Sequence, residues 1–185
     1  MMRVIGGNAR GLRLKVPKGQ TLRPTAARVK EALFNILPHD LSGTKVLDLF
    51  AGTGNVTIEA LSRGAAAAIL VDSSVESGKA IRENLGRLHL TDRTKVWIMP
   101  VARALRFLAR HGETFDLIFL DPPYDCEWID RTLGIIARER LLRESGMLIA
   151  EHSIREKIEP RYDSLALHDQ RRYGSTLLSF FKQEA

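Results

Sequence analysis

The sequence predicts an α/β fold: a seven-stranded, mostly parallel sheet with helices on both faces and an antiparallel hairpin at its C-terminal end. Three observations carry that expectation. From residue 44 onward, short apolar runs alternate with stretches of helical periodicity, as parallel strands joined by crossover helices require. The first run opens directly into the glycine-rich turn Ala51-Gly52-Thr53-Gly54, the place where open α/β sheets bind ligands. The last two extended runs, 165–173 and 175–181, meet near Gly174 with no room for a helix between them.

The elements follow in order. Val4, Ile5, Leu12, Leu14 and Val16 read as two short strands around Gly6-Gly7-Asn8 and Gly11, a small hairpin arm. Val29, Ala32, Leu33, Ile36 and Leu37 recur at helical spacing, with Thr25 as a cap and Pro38 as a stop. Strands are expected at 45–50, 67–71, 94–99, 115–120 and 146–151. Helices are expected between them at 56–63, 75–88, 101–111 and 128–142. The chain thus divides into an arm, residues 1–22, and one α/β domain, residues 23–185.

Composition narrows the class. The chain has 185 residues, 44% hydrophobic and 27% charged, ordinary for one globular domain. No apolar stretch nears membrane-spanning length and the N-terminus has no signal-peptide core, so a cytoplasmic protein with no membrane contact is expected. No apolar surface helix stands out, which predicts a monomer. Cys126 is the single cysteine, which excludes an internal disulfide and a cysteine-based zinc site. No His or Asn constellation surrounds it to make it a nucleophile, and no metal site is expected.

Charge is unevenly placed. Residues 1–30 contain eight basic residues, Arg3, Arg10, Arg13, Lys15, Lys18, Arg23, Arg28 and Lys30, while all 22 acidic residues lie beyond them. Such an acid-free segment suits a phosphate backbone, with Arg3, Arg10, Arg13, Lys15, Arg23 and Lys30 as candidate RNA contacts. A merely solvated tail has the same composition.

Two loops carry the chemistry. Asp48, Phe50, Ala51, Gly52 and Gly54 surround the first turn, and Asp72 with Ser73 ends the second strand, where a carboxylate can accept both hydroxyls of a ribose. The third glycine of a dinucleotide site is missing and no phosphate-loop lysine follows. Asp48 would repel a pyrophosphate and attract a sulfonium cation, so the implied cofactor is S-adenosylmethionine. The fourth strand ends in Asp121-Pro122-Pro123-Tyr124. Its carboxylate and the Pro122 carbonyl can accept the two hydrogens of an exocyclic amine while the Tyr124 ring lies on the base. Alone, the tetrapeptide is equally a turn that ends a strand.

Together these segments resemble the class I S-adenosylmethionine-dependent methyltransferases, with their Rossmann-like fold. Arg3-Val4-Ile5-Gly6-Gly7, Arg23-Pro24-Thr25, Lys30 to Asn35, Glu151-His152 and Tyr173-Gly174 narrow the resemblance, over nearly the whole chain, to the RsmD family. That family methylates the N2 amine of guanine 966 in 16S ribosomal RNA of the small subunit. The resemblance implies Asp121, Pro122 and Tyr124 as catalytic residues and places Val101 near the cofactor adenine. There the chain departs from the pattern: Met99-Pro100-Val101 replaces the usual Asn-Asp pair, which predicts weaker cofactor affinity. Adenine N6 methylation, or a non-catalytic RNA-binding factor on the same fold, are the alternatives these residues leave open.

Overall fold

The computed structural model describes residues 2–16, 24–124 and 128–184. One sheet forms the frame, in the strand order β3-β2-β1-β4-β5-β8-β7-β6. Strands β1 (Lys45–Leu49), β2 (Ala67–Asp72), β3 (Thr94–Ile98), β4 (Phe115–Leu120) and β5 (Leu142–Ser153) run parallel. β7 (Leu165–Tyr173) and β8 (Thr176–Gln183) form the expected hairpin, with β8 antiparallel to β5. The chain order reverses direction across the sheet between β1 and β4, which opens a crevice above their carboxyl ends.

Strand periodicity sorts the core into two layers. Val46, Leu117, Phe119 and Ile149 face α1 (Pro24–Ile36), α2 (Asn55–Ser62) and α3 (Val75–Arg87). Leu47, Leu49, Ile118 and Leu148 face α4 (Val101–Arg110) and α5 (Trp128–Arg138). Helix α4 shows why: Val101, Ala104, Leu105 and Leu108 are buried at helical spacing, while its arginines point to solvent. Ser74 caps α3, its hydroxyl accepting the Ser77 N–H at 3.2 Å. Phe34, Phe115, Phe180 and Phe181 are fully buried, each contributing about 1.5–3 kcal/mol of apolar transfer.

The structure corrects three expectations. The sheet has eight strands among the described residues, because Arg161–Tyr162 (β6) pairs with Ala166 and Leu165. A two-residue strand has no periodicity to reveal it. Helix α5 ends at Arg138, not near 142, and β5 begins already at Leu142. Leu141 and Leu142 satisfy helical spacing, but Arg140 adopts φ 49°, which stops the helix and turns the chain into the sheet. The arm holds a single bridge, Arg3 to Arg13, in place of two strands. It is still closed by backbone hydrogen bonds, Val4 N–H to Leu12 O at 3.0 Å and Leu14 N–H to Met2 O at 3.0 Å. Val4 and Leu14 enter the same apolar layer as α1.

Candidate active site

A cavity of about 360 Å³ opens above the carboxyl ends of β1, β4 and β5. One side is the glycine loop. Past Leu49 the backbone turns through three left-handed residues, Phe50 (φ 62°), Gly52 (φ 57°) and Gly54 (φ 73°). Phe50 adopts that region without being glycine, a strained conformation of the kind that clusters at binding sites. Its ring lies 6.2 Å from that of Trp128. Gly54 suits its left-handed φ and is tightly packed as well, since a Cβ there would stand 3.1 Å from Leu70 Cδ2. Gly52 differs: no protein atom lies nearer than Phe50 O at 4.0 Å, so its outer side is open for a ligand to approach the backbone.

Asp72 fastens this loop. One carboxylate oxygen accepts the Gly52 N–H at 2.8 Å and the other accepts the Ser74 N–H at 2.8 Å. Ser73 beside it is exposed, and neither Asp72 nor Ser73 is among the residues that line the cavity. Asp48 points into the opposite layer from Leu47 and Leu49 and is buried, accepting the Thr57 hydroxyl at 2.6 Å. Burial pushes its carboxyl up to about 7, the Thr57 hydrogen bonds oppose the shift, and the nearby charge of Asp72 adds to it. A buried carboxyl that ionises near neutrality, next to an open glycine turn, fits a ligand carrying positive charge but no phosphate.

Val101 does not line the cavity. Its side chain is buried among Leu105, Val71 and their neighbours on the α4 side of the sheet, so an adenine contact at this position falls to its backbone, as the sequence led us to expect. The residue faces inward because α4 needs it as the first of its apolar stripe.

The other side of the cavity is the tetrapeptide. The Asp121 N–H reaches Leu49 O at 3.4 Å, which ties the corner to the end of β1 and hence to the glycine loop. Pro122 is buried and Asp121 is exposed to the cavity. Tyr124 donates its hydroxyl to Glu151 Oε1 at 3.0 Å and lies 3.2 Å from Thr176 Oγ1. Burial, then the Glu151 charge, pushes the phenol well above its usual range, so it stays protonated. Glu151 and Thr176 escaped the sequence reading as site residues. A carboxylate at the end of a predicted parallel strand, next in the sheet to the strand that carries Asp121, was the available signal.

The basic candidates separate. Arg3, Arg10 and Arg13 are exposed. Lys15 is exposed and paired with Glu83. Arg23 and Cys126 lie outside the described residues. Lys30 is the correction: it is only 5% exposed, and its ammonium donates to Arg3 O, Asn55 Oδ1 and Glu59 Oε2 at 2.6, 2.9 and 3.2 Å. With three donors committed to three partners, it is a structural cation and not a phosphate contact. The arm itself is bound to α2: the Ile5 and Gly6 N–H groups donate to the Glu59 carboxylate at 2.8 and 2.7 Å, and Asn8 N–H donates to Ser62 O at 2.8 Å.

Among the described residues no group of His, Cys, Asp and Glu is placed to hold a metal ion, and no helix is long and apolar enough to cross a membrane. YlbH of Bacillus subtilis (strain 168) is 36% identical over 182 residues, covering 98% of this chain and 99% of the relative. The ribosomal RNA small subunit methyltransferase D of Escherichia coli (strain K12) is 30% identical over 184 residues, covering 100% and 91%. The solved structure of yhhF from Escherichia coli matches with a TM-score of 0.83 at 31% identity, over 99% of this chain and 98% of that one. The family model described as conserved hypothetical protein 95 matches residues 2–182, and the chain belongs to that family, the RsmD family its motifs resemble.

Proposed function

We propose that this protein methylates the exocyclic N2 amine of a guanine, the one at position 966, in 16S ribosomal RNA, acting as a cytoplasmic monomer on a small-subunit particle. Ribosomal RNA methylation with S-adenosylmethionine as donor follows from family and fold. One observation carries the reading: Asp121, Tyr124 and Glu151 share a single cavity with Asp48 and the open side of Gly52. On this reading an amine acceptor and a seat for a cationic donor open onto one space.

When bound, the cofactor supplies a methyl group activated on a sulfonium. Everything else falls to the chain. Asp48, ionising near neutrality, favours the donor's positive charge, and Asp72 holds the loop and offers its carboxylate to a ribose. Asp121 and the Pro122 carbonyl take the two amine hydrogens. That aims a lone pair otherwise conjugated with the ring toward the methyl, a gain in orientation and charge stabilisation. After transfer the amine carries an excess proton, and Asp121 is placed to accept it. Tyr124, kept protonated and held at its hydroxyl, presents its ring to a base drawn out of its stack. Arg3, Arg10 and Arg13 supply phosphate contacts that position the RNA.

The reading is tested by incubating small-subunit particles from a strain lacking this gene with enzyme and labelled cofactor, then mapping the labelled nucleotide. Label on the N2 of one guanine of the small-subunit RNA is expected. Label on an adenine, or none on RNA, overturns it.

A further inference from the structure

The cavity wall holds a second carboxylate beside Asp121, that of Glu151. β4 and β5 pair in parallel with Leu120 beside Ala150, so Asp121 and Glu151 follow next to one another at the carboxyl ends. Leu120 and Ala150 face the α4 and α5 layer. By alternation, Asp121 and Glu151 face the other way, into the cavity they both line. Leu178 of β8 stands opposite Glu151, and Thr176 stands opposite Ser153. Phe119, Ile149 and Leu178 are buried below them and line the same cavity. An apolar floor edged on one side by polar groups suits a flat heterocycle lying on it with its hydrogen-bonding edge toward that row.

The row determines what that edge must carry. Ionised carboxylates only accept hydrogen bonds, and each has about four lone-pair positions. Glu151 accepts from Tyr124 and lines the cavity, where a carboxylate with about four lone-pair positions can take a donor of the bound base. Two neighbouring carboxylates thus ask for two neighbouring donors. Guanine offers them, its N1–H next to its N2 amine. Adenine sets its amine beside an unprotonated N1, whose lone pair would confront a carboxylate.

We infer that Glu151 selects the base: its carboxylate accepts the guanine N1–H while Asp121 and the Pro122 carbonyl take the N2 amine. This rests on the guanine-N2 reading above and adds to it the residue that determines specificity. Glu151 also holds Tyr124, so the ring that covers the base and the carboxylate that reads its edge are set by one side chain. Thr176 shares only the first task.

The base analogue 2-aminopurine separates the two tasks, because it keeps the amine but carries a lone pair at N1. Particles are reconstituted with guanine or 2-aminopurine at the nucleotide the enzyme labels. The wild-type protein is expected to prefer guanine by roughly 10- to 100-fold in kcat/KM. In Glu151→Gln the amide can turn a donor toward N1 and still accept from Tyr124. Activity on guanine falls and the preference shrinks toward one. Thr176→Val, which loses only a Tyr124 partner, lowers kcat on both bases and keeps the preference. Melting temperature and cofactor binding report whether each variant is folded. An unchanged preference in Glu151→Gln overturns the inference and leaves Glu151 as a support for Tyr124. Wild-type protein that methylates guanine N2 but uses 2-aminopurine equally well also overturns it, whatever the variants do. Label on adenine, or on no RNA, removes the guanine reading and this inference together.

Discussion

The Lys30 ammonium and the Glu59 carboxylate meet at 3.2 Å with side chains 5% and 0% exposed. Glu59 also receives Arg63 Nε and the backbone N–H groups of Ile5 and Gly6, so one buried carboxylate satisfies four donors from three parts of the chain. Burial lowers the Lys30 pKa and the charge of Glu59 opposes that shift. Glu59→Ala leaves a buried cation and two amides without their acceptor, and is expected to destabilise the protein by about 3–5 kcal/mol. Lys30→Met leaves Glu59 with Arg63 and both amides and should cost less. Urea unfolding of the two variants checks the order; equal losses would mean that the arm draws no stability from Glu59.

Asp121→Ala should abolish methyl transfer while cofactor affinity stays within a few-fold of wild type, because the carboxylate serves the amine. Calorimetric cofactor binding alongside a methyl-transfer assay decides it. Near-normal turnover would remove the assigned role.

Asp48 should make cofactor binding depend on pH. Its carboxyl is pushed up to about 7 by burial, so the folded protein holds a proton there that an unfolded chain, titrating near 3.8, has already released. The stability this contributes is present in full below pH 3.8 and is lost as the pH rises through 7. A cationic ligand works in the opposite sense, since it favours the ionised form. Cofactor affinity should therefore climb as the pH goes from about 5.5 to 7, by up to roughly tenfold per unit. Asp48→Asn should bind more weakly at neutral pH and lose that slope. A pH-independent wild-type affinity would contradict the role given to Asp48.

Two glycines should fail in different ways. Gly7→Ala sets a Cβ 1.8 Å from Ser62 O at φ 69°, which forces the arm off α2. Gly52→Ala meets no protein atom and adds only left-handed strain of about 1–2 kcal/mol. Thermal melts should show the larger loss for Gly7→Ala, and cofactor titration the larger loss for Gly52→Ala.

Arg10→Ala and Arg13→Ala should each weaken RNA binding and reduce its salt slope by about 1, as expected for one phosphate contact. Lys15→Ala should do less, because Glu83 already occupies its ammonium. Filter binding across salt concentrations measures this. A slope unchanged in all three variants would remove the arm from the RNA interface.

Strand and helix placement was legible in the sequence wherever periodicity was sustained: β4 matches its expected bounds, and β1 to β3 and α2 to α4 fall within a residue at each end. The glycine turn and the Asp121 to Tyr124 corner were legible as breaks in the pattern for a related reason, since each is a local departure from its strand. What escaped depends on distance in sequence. Nothing near Lys30 announces that its partner lies 29 residues on, so a charge count placed it on the surface. Glu151 means little until the β4–β5 register sets it beside Asp121.

Helix α2 begins at the glycine loop and, within its eight residues, carries Glu59 and Ser62, which hold the arm. At 1.5 Å per residue it spans about 12 Å. The arm proposed to grip RNA and the loop proposed to seat the methyl donor are thus mounted on the same short rod. On that proposal, RNA bound by the arm would be measured off at a fixed offset from the reactive centre, with α2 as the gauge. Lengthening or melting it would shift which nucleotide is in range before it harmed either end.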